Sequence, residues 1–368
     1  MQRTKRFHRT RALLAGTAVV AAALAGSAGT ASAGTAQSDS LVFVPYNGQT
    51  FTIWRNGNVV QPVHFSTQQA IEGNFSGASG EDTFLYNPGS GKDGILHVTP
   101  SASTATTSFR SESISGTFTP VVGDFDGNAI DDILWYAPGS GADYLWLFQP
   151  NGTHTQVSLT INGSYRPTAV ATDGDGYDDV IWYAPGSAAD SIWHFGPGGS
   201  HTSSAVTIGG NYQLITGYFG IRPEGSPQKR VIFFDPAGPD SIWTFSAAGS
   251  HTSAGLPSIQ GAAKPIVGSF TSQLTDNVLF YRSGSAAEDL IGFDTAGAVQ
   301  QYEAPVVNGS YDPAVGDFDG NLYDDIAWTS AGKATLWKFA SGGYSQATIT
   351  TNTTNTIGIT SRSGVEPV

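Results

Sequence analysis

The chain has 368 residues, with 17 Lys and Arg against 30 Asp and Glu, a formal net charge of −13 and no cysteine. So acidic a chain repels nucleic-acid phosphates and anionic lipid surfaces, and without disulfides its stability must come from core burial, ring closure or bound metal. Its 46 Gly and 19 Pro, with strong aromatics and no long helical periodicity, predict an all-β fold rich in tight turns.

Residues 1–33 read as a secretory signal peptide. Arg3, Lys5, Arg6, Arg9 and Arg11 form a basic start, an apolar run follows from Ala12, and Ala31-Ser32-Ala33 ends it with small residues. Cleavage there removes five bases and takes the net charge from −13 to −18. The apolar run is too short and too interrupted for a membrane span, so the expectation is a secreted product with no membrane insertion and no nucleic-acid partner.

From residue 34 onward a single unit recurs. It opens midway, with DSLVFVPYNGQTFTIW at 39–54. Full copies follow: GNFSGASGEDTFLYNPGS (73–90), GDFDGNAIDDILWYAPGS (123–140), VATDGDGYDDVIWYAPGS (170–187), GYFGIRPEGSPQKRVIFFDPAG (217–238), GSFTSQLTDNVLFYRSGS (268–285) and GDFDGNLYDDIAWTSAG (316–332). Their starts lie 47 to 51 residues apart, the period of a four-stranded propeller blade. The segment NTIGITSRSG (355–364) supplies the first strand that the opening unit lacks. The reading is a seven-bladed β-propeller over 34–368, its ring closed by pairing of the N- and C-terminal segments. The units fall near 40–66 plus 355–364, then 71–115, 121–165, 168–212, 215–262, 266–310 and 314–352.

The second strand of each unit is apolar at nearly every position, so both faces should be buried between blades. Trp54, Trp146, Trp193, Trp243 and Trp337 recur in the third strand, with Leu96 and Ile291 in the other two units. That exchange favours core packing over a sugar platform.

The strongest chemical pattern is D-x-D-G-N-x-x-D-D between strands one and two. Acids at positions one, three and five wrap one side of a hard cation, Gly at four allows the sharp turn, and a carbonyl at seven and an acid at nine complete an oxygen cage. Two loops are intact: Asp124, Asp126, Asn128, Ile130 through its carbonyl and Asp132; and Asp317, Asp319, Asn321, Tyr323 through its carbonyl and Asp325. Both suit Ca2+. A weaker version has Ala171 at position one but keeps Asp173, Asp175, the Tyr177 carbonyl and Asp179. The loop at 73–90 retains Asn74, Ser76 and Asp82, and those at 217 and 268 have lost the pattern. The neighbouring acids Asp131 and Asp324 add charge that a cation would relieve.

The repeated G-D-F-D-G-N-x-x-D-D, followed by an apolar strand and A-P-G, resembles the FG-GAP repeat of integrin α-subunit propellers, also described as the VCBS-type repeat of bacterial secreted proteins. The resemblance covers essentially all of the chain beyond residue 33. It implies a propeller with calcium loops on one face and ligand binding by loops of the other, as in integrins or in fungal lectins of similar architecture. Three central loops depart from the pattern and no further domain is expected beside the propeller, so the integrin role does not carry over.

His154, His201 and His251 sit in the turns after strand three and read as solvated turn residues. On the opposite face, each loop after strand two ends in an acid: Asp93, Asp143, Asp190, Asp240 and Glu288. The connections between blades bring Phe118, Tyr165, Tyr212 and Tyr311. Carboxylates beside aromatic rings suit polyhydroxylated ligands, which nominates Asp143, Asp190, Asp240, Tyr165, Tyr212 and Tyr311 as a ligand face; the alternative is that they cap turns and seal blade contacts. The expected function is non-catalytic binding of an extracellular glycan or protein. A polysaccharide hydrolase or lyase and a structural cell-surface component are the alternatives. The charged insertion 221–230 reads as a solvated loop.

Overall fold

A computed structural model describes the backbone of residues 41–360, apart from 46–49, 56–57, 65–68, 78–81, 90–92, 101–104, 187, 222–226, 295–296, 331–332, 342 and 349–355; side chains before residue 69 and after 348 are not described. The signal peptide, the side chain of Trp54, and Arg222 and Glu224 of the insertion therefore lie outside the described residues. Among the described residues no helix is long and apolar enough to cross a membrane.

The chain is a β-propeller of four-stranded antiparallel blades. Six blades are contiguous in sequence, numbered 1 to 6 here: 69–112, 119–159, 166–206, 213–255, 264–302 and 312–348. In each, successive strands are hydrogen-bonded neighbours. The first strands of consecutive blades, such as Gln69–Gly73 and Thr119–Gly123, lie side by side, so ring order follows chain order.

The core lies between blades, as the apolar second strands require. Asp132–Tyr136 and Asp179–Tyr183 are buried at every position. One cluster joins Phe84 and Tyr86 of blade 1 to Trp135 and Trp146 of blade 2; others bridge each following pair through blades 5 and 6. Trp135, Trp182 and Trp328 fill these junctions. The third-strand column is core as expected: Trp146, Trp243, Trp337, Leu96 and Ile291 are buried and Trp193 is partly so.

The blade count is corrected. Seven equivalent blades were expected, whereas six carry packed cores among the described residues. Leu41–Pro45, Thr50–Arg55, Asn58–His64 and Thr356–Thr360 form a further four-stranded sheet in which the last pairs antiparallel with the first. This sheet comes from the two chain ends, has no loop of the D-x-D-G-N type joining its first two strands, and its side-chain packing is not described. Sequence period counts units, not packed blades, so six is the number that the described cores support.

Candidate metal loops and the opposite rim

Three groups among the described residues bring potential ligand atoms within 4.8 Å of one another: Asp124, Asp126 and Asp132; Asp317, Asp319 and Asp325; and Asp173, Asp179 and His194. The first two are the acids expected from the intact motifs. The third is part of the weaker loop with a histidine that the motif did not include, while Asp175 stands outside the group.

The two intact loops are built alike. Asp124 takes the backbone N–H groups of Gly127, Asn128 and Ala129, at 2.7, 3.0 and 2.8 Å; Asp317 does the same with Gly320, Asn321 and Leu322. Asn128 and Asn321 donate their amides to Phe148 and Phe339 carbonyls, fastening each loop to its third strand. Gly127 and Gly320 adopt φ of 75° and 76°, the left-handed turn expected at position four. Position six is left-handed as well, yet it is filled by Ala129 (φ 67°) and Leu322 (φ 71°). Strain repeated at one place in both loops is a mark of a functional turn.

The ninth-position acids are the deepest. Asp132 accepts N–H bonds from Phe125 and Phe148, and Asp325 from Phe318 and Phe339. Without a cation these carboxyls resist ionisation. Burial pushes Asp325 up to about 9, reinforced by the charges of Asp319 and Asp317. Burial and the nearby Asp178 and Asp131 raise Asp124 to about 6. A donor set of crowded carboxylates gathered around a sharp turn fits a hard divalent cation that takes oxygen ligands.

The acid pair in each motif divides. The second acid enters its own loop; the first turns to the preceding blade. Asp131 accepts the Asn74 N–H (2.7 Å) while its own N–H donates to the Asn74 carbonyl (2.9 Å). The same two-way staple joins Asp178 to Asp124, Asp276 to Tyr218, and Asp324 to Ser269. Asp131 and Asp324 are thus blade-to-blade fasteners.

Where the last loop acid changes, its neighbours change too. Blade 4 places Lys229 and Arg230 at the acid-pair positions, fixed by the pairing of Val231 with Trp243. Lys229 donates to Asp178 at 2.8 Å, and the buried Arg230 donates to the Gly297 carbonyl. These residues belong to the insertion expected to be solvated; they are instead built into blade contacts, because their strand continues the buried second-strand register. Blade 5 has the neutral Asn277, which accepts from Thr271.

In blade 1 the last loop acid, Asp82, is hydrogen-bonded to His97 Nδ1. That bond raises the imidazole pKa above its ordinary 6.5, against the lowering effect of burial. A raised histidine pKa contributes stability that is fully present below about 6.5 and lost as pH rises through the folded value. His97→Gln is therefore expected to cost about 1.5–3 kcal/mol at pH 5.5 and clearly less above pH 8. Urea unfolding at the two pH values measures it, and an equal penalty at both would remove the charged pair.

His201 and His251 are exposed, as expected, and His154 is half-buried, but all three lie at the start of a fourth strand rather than in a turn. Each stacks on the third-strand tryptophan of its blade: Trp146 at 4.0 Å, Trp193 at 3.9 Å and Trp243 at 3.8 Å between ring centroids, within 15° of parallel. Burial lowers all three imidazole pKa values, which favours the neutral rings that such stacking uses. In blade 6 Tyr344 covers Trp337 in the same way.

On the opposite rim the nominated acids face inward. Asp143 accepts from the Ala137 and Ile161 N–H groups, Asp190 from Ala184 and Ile208, and Asp240 from Asp235 and Ile259, all at 2.7–2.8 Å. All three are buried, so they clamp two connections together and offer no carboxylate to a ligand from outside. The tyrosines differ. Tyr136 donates its hydroxyl to Gly163 and accepts from the Tyr165 N–H; Tyr183 does so with Gly210 and Tyr212, and Tyr281 with Gly309 and Tyr311. Tyr165, Tyr212 and Tyr311 are left half-buried at blade junctions. Tyr165 packs edge-on against Trp182 of the following blade, and Tyr311 against Trp328.

The chain matches no protein-family model, and no curated relative matches it in sequence. Among solved structures, an Agrocybe aegerita lectin described for specific recognition of non-reducing terminal N-acetylglucosamine aligns with TM-score 0.64 and 12% identity, over 88% of this chain and 95% of the lectin. A functionally unknown protein from Desulfotomaculum acetoxidans DSM 771 aligns with TM-score 0.54 and 8% identity, over 88% of this chain and 99% of that one. At such identities the likeness carries the fold, a β-propeller of four-stranded antiparallel blades.

Proposed function

We propose that this protein is a secreted, calcium-stabilised β-propeller of the FG-GAP/VCBS type that serves as a non-catalytic binding module for extracellular carbohydrate. The observation that carries the reading is the pair of matching loops in blades 2 and 6, each gathering three acids within 4.8 Å around a left-handed turn. The paired acids that an acid–base hydrolase would need are engaged in those loops and in the blade staples, which speaks against the enzyme alternative. A carbohydrate ligand is supported by the half-buried tyrosines, each held by a buried tyrosine hydroxyl at equivalent junctions, since sugars bind where a rigid aromatic face adjoins hydrogen-bonding groups. The same architecture serves sugar recognition in the Agrocybe aegerita lectin.

The test is a glycan and polysaccharide screen of residues 34–368, including N-acetylglucosamine-terminated glycans, run with calcium and with chelator. We expect calcium-dependent retention on a defined sugar, reduced at least about tenfold in the Tyr165→Ala, Tyr212→Ala double variant with its melting transition intact. Retention that survives the double variant takes the ligand off this rim. No retention on any glycan ends the carbohydrate reading in favour of a protein partner or a structural role, and release of reducing sugar would establish the enzyme instead.

A further inference from the structure

Blade 3 departs from blades 2 and 6 at three places that converge on one point. Loop position one is Ala171 where Asp124 and Asp317 stand. The core phenylalanine of position two, Phe125 or Phe318, is replaced by Thr172. In the third strand, one residue beyond the tryptophan, His194 takes the place of Leu147 and Lys338; the pairing of Trp146 with Ile133, Trp193 with Val180 and Trp337 with Ile326 fixes this alignment.

His194 Nδ1 lies 3.5 Å from Asp179 Oδ2 and 3.7 Å from Asp173 Oδ2. The Thr172 hydroxyl, 3.2 Å from the same nitrogen, is also hydrogen-bonded to Asp179. The other ring nitrogen, Nε2, is 2.9 Å from Ser204 Oγ on the outer strand. Asp179 is fully buried and further fixed by the Phe195 N–H at 3.0 Å. Asp173 and His194 keep about a fifth of their side-chain surface, 19% and 21%, so the cluster reaches solvent on one side.

We propose that Asp173, Asp179 and His194 form a binding site for a zinc-class divalent transition metal, distinct in chemistry from the calcium loops of blades 2 and 6. An imidazole nitrogen is a poor donor to calcium, which takes oxygen, and a good one to zinc, which pairs it with carboxylate at about 2.0–2.2 Å. Tetrahedral ligands at that distance stand about 3.4 Å apart. The two separations from Nδ1 are close to that value, and the carboxylate oxygens of Asp173 and Asp179 lie within 4.8 Å of each other, with Asp173 on the loop. A hydrogen bond from Nε2–H to Ser204 leaves the Nδ1 lone pair facing both carboxylates. Such an outer partner fixes tautomer and ring orientation in metal-binding histidines. Three protein ligands with solvent at the fourth position are a complete set for this metal class. Loss of the acid at position one fits the same account: a four-coordinate ion has no use for the extra oxygens.

The experiment is calorimetric titration with Zn2+ in excess Ca2+, which occupies the oxygen-only loops, followed by histidine ring NMR. The expected result is one equivalent of Zn2+ per chain with a shifted His194 resonance. His194→Leu, which installs the residue that blade 2 already carries, should weaken binding at least about 100-fold, and so should Asp173→Asn on the loop; Ser204→Ala should weaken it about 10- to 100-fold. The proposal is overturned if the wild-type chain takes up no Zn2+ in excess Ca2+, or if a folded His194→Leu or Asp173→Asn variant binds it unchanged. In that event His194 is a simple ion-pair partner of the two aspartates.

Discussion

On the proposed occupancy of the loops of blades 2 and 6 by calcium, chelation is expected to lower the unfolding free energy by about 5 kcal/mol. An ion at about one hundred times its dissociation constant stabilises the native state by about 2.7 kcal/mol per site, and the two loops belong to blades that are not neighbours. The effect should appear as a fall in melting temperature with chelator, reversed by calcium and reproduced in part by Asp325→Asn. It should also depend on pH in a definite direction. In the metal-free chain Asp124 and Asp325 titrate at about 6 and about 9, above the usual aspartate value of 3.8. A carboxyl whose folded pKa is raised keeps a proton that the unfolded chain has released, so its contribution is fully present below about 3.8 and is lost as pH rises through the folded value. Metal-free protein should therefore lose stability between about pH 4 and 9, chiefly through Asp325 and its counterpart Asp132, which burial also raises well above the usual aspartate range. Calcium-saturated protein should lose much less, because the cation stabilises the ionised forms, and calcium uptake near pH 7 should release protons. A melting temperature indifferent to both chelator and pH would mean that these acidic loops are ordinary turns.

The repeat period, the all-β fold and the two intact loops were legible in the sequence because each depends on local spacing: four short strands per unit, alternating acids and a turn glycine. What was not legible depends on contacts between units. His194 is 15 residues beyond Asp179 and belongs to a different strand, so no loop motif includes it; its place one residue after the tryptophan column was the available signal. His154, His201 and His251 looked like turn residues, yet strand pairing places them two positions from the residue opposite each tryptophan, where an aromatic ring can cover the indole. Asp143, Asp190 and Asp240 follow loops rich in Gly and Pro or Ser, which suggested exposure, but each begins or immediately precedes a buried third strand and turns back to hold two backbone N–H groups. The blade count failed for a related reason. The end segments match the repeat in sequence, but a match does not establish a packed face.

The division of the acid pair leads to the second large effect. Adjacent residues entering a strand point to opposite sides, so two neighbouring aspartates cannot both serve one cation. Asp324 is almost fully buried, 1% exposed, and accepts the Ser269 N–H at 2.7 Å from the blade before it. Replacing it with alanine removes a charge-assisted acceptor and leaves a buried N–H unsatisfied, a loss of about 3 kcal/mol. Asp324→Asn should cost less, since an amide oxygen can still accept. The decisive comparison is with Asp325, its neighbour in the chain. Asp324→Ala should destabilise by the same amount with calcium or with chelator, because its work is at the blade junction. Asp325→Ala should abolish the calcium increment of blade 6. Denaturant unfolding of both variants in both conditions separates the roles, and a calcium-dependent penalty at Asp324 would return that acid to the loop. The same test at Asp276, whose blade has lost the metal motif but keeps the staple to Tyr218, should show the junction penalty alone. A staple retained where the cation loop has decayed is what separate functions for the two acids require: the junction of blades 4 and 5 stays fastened although the loop beside it has lost the metal motif.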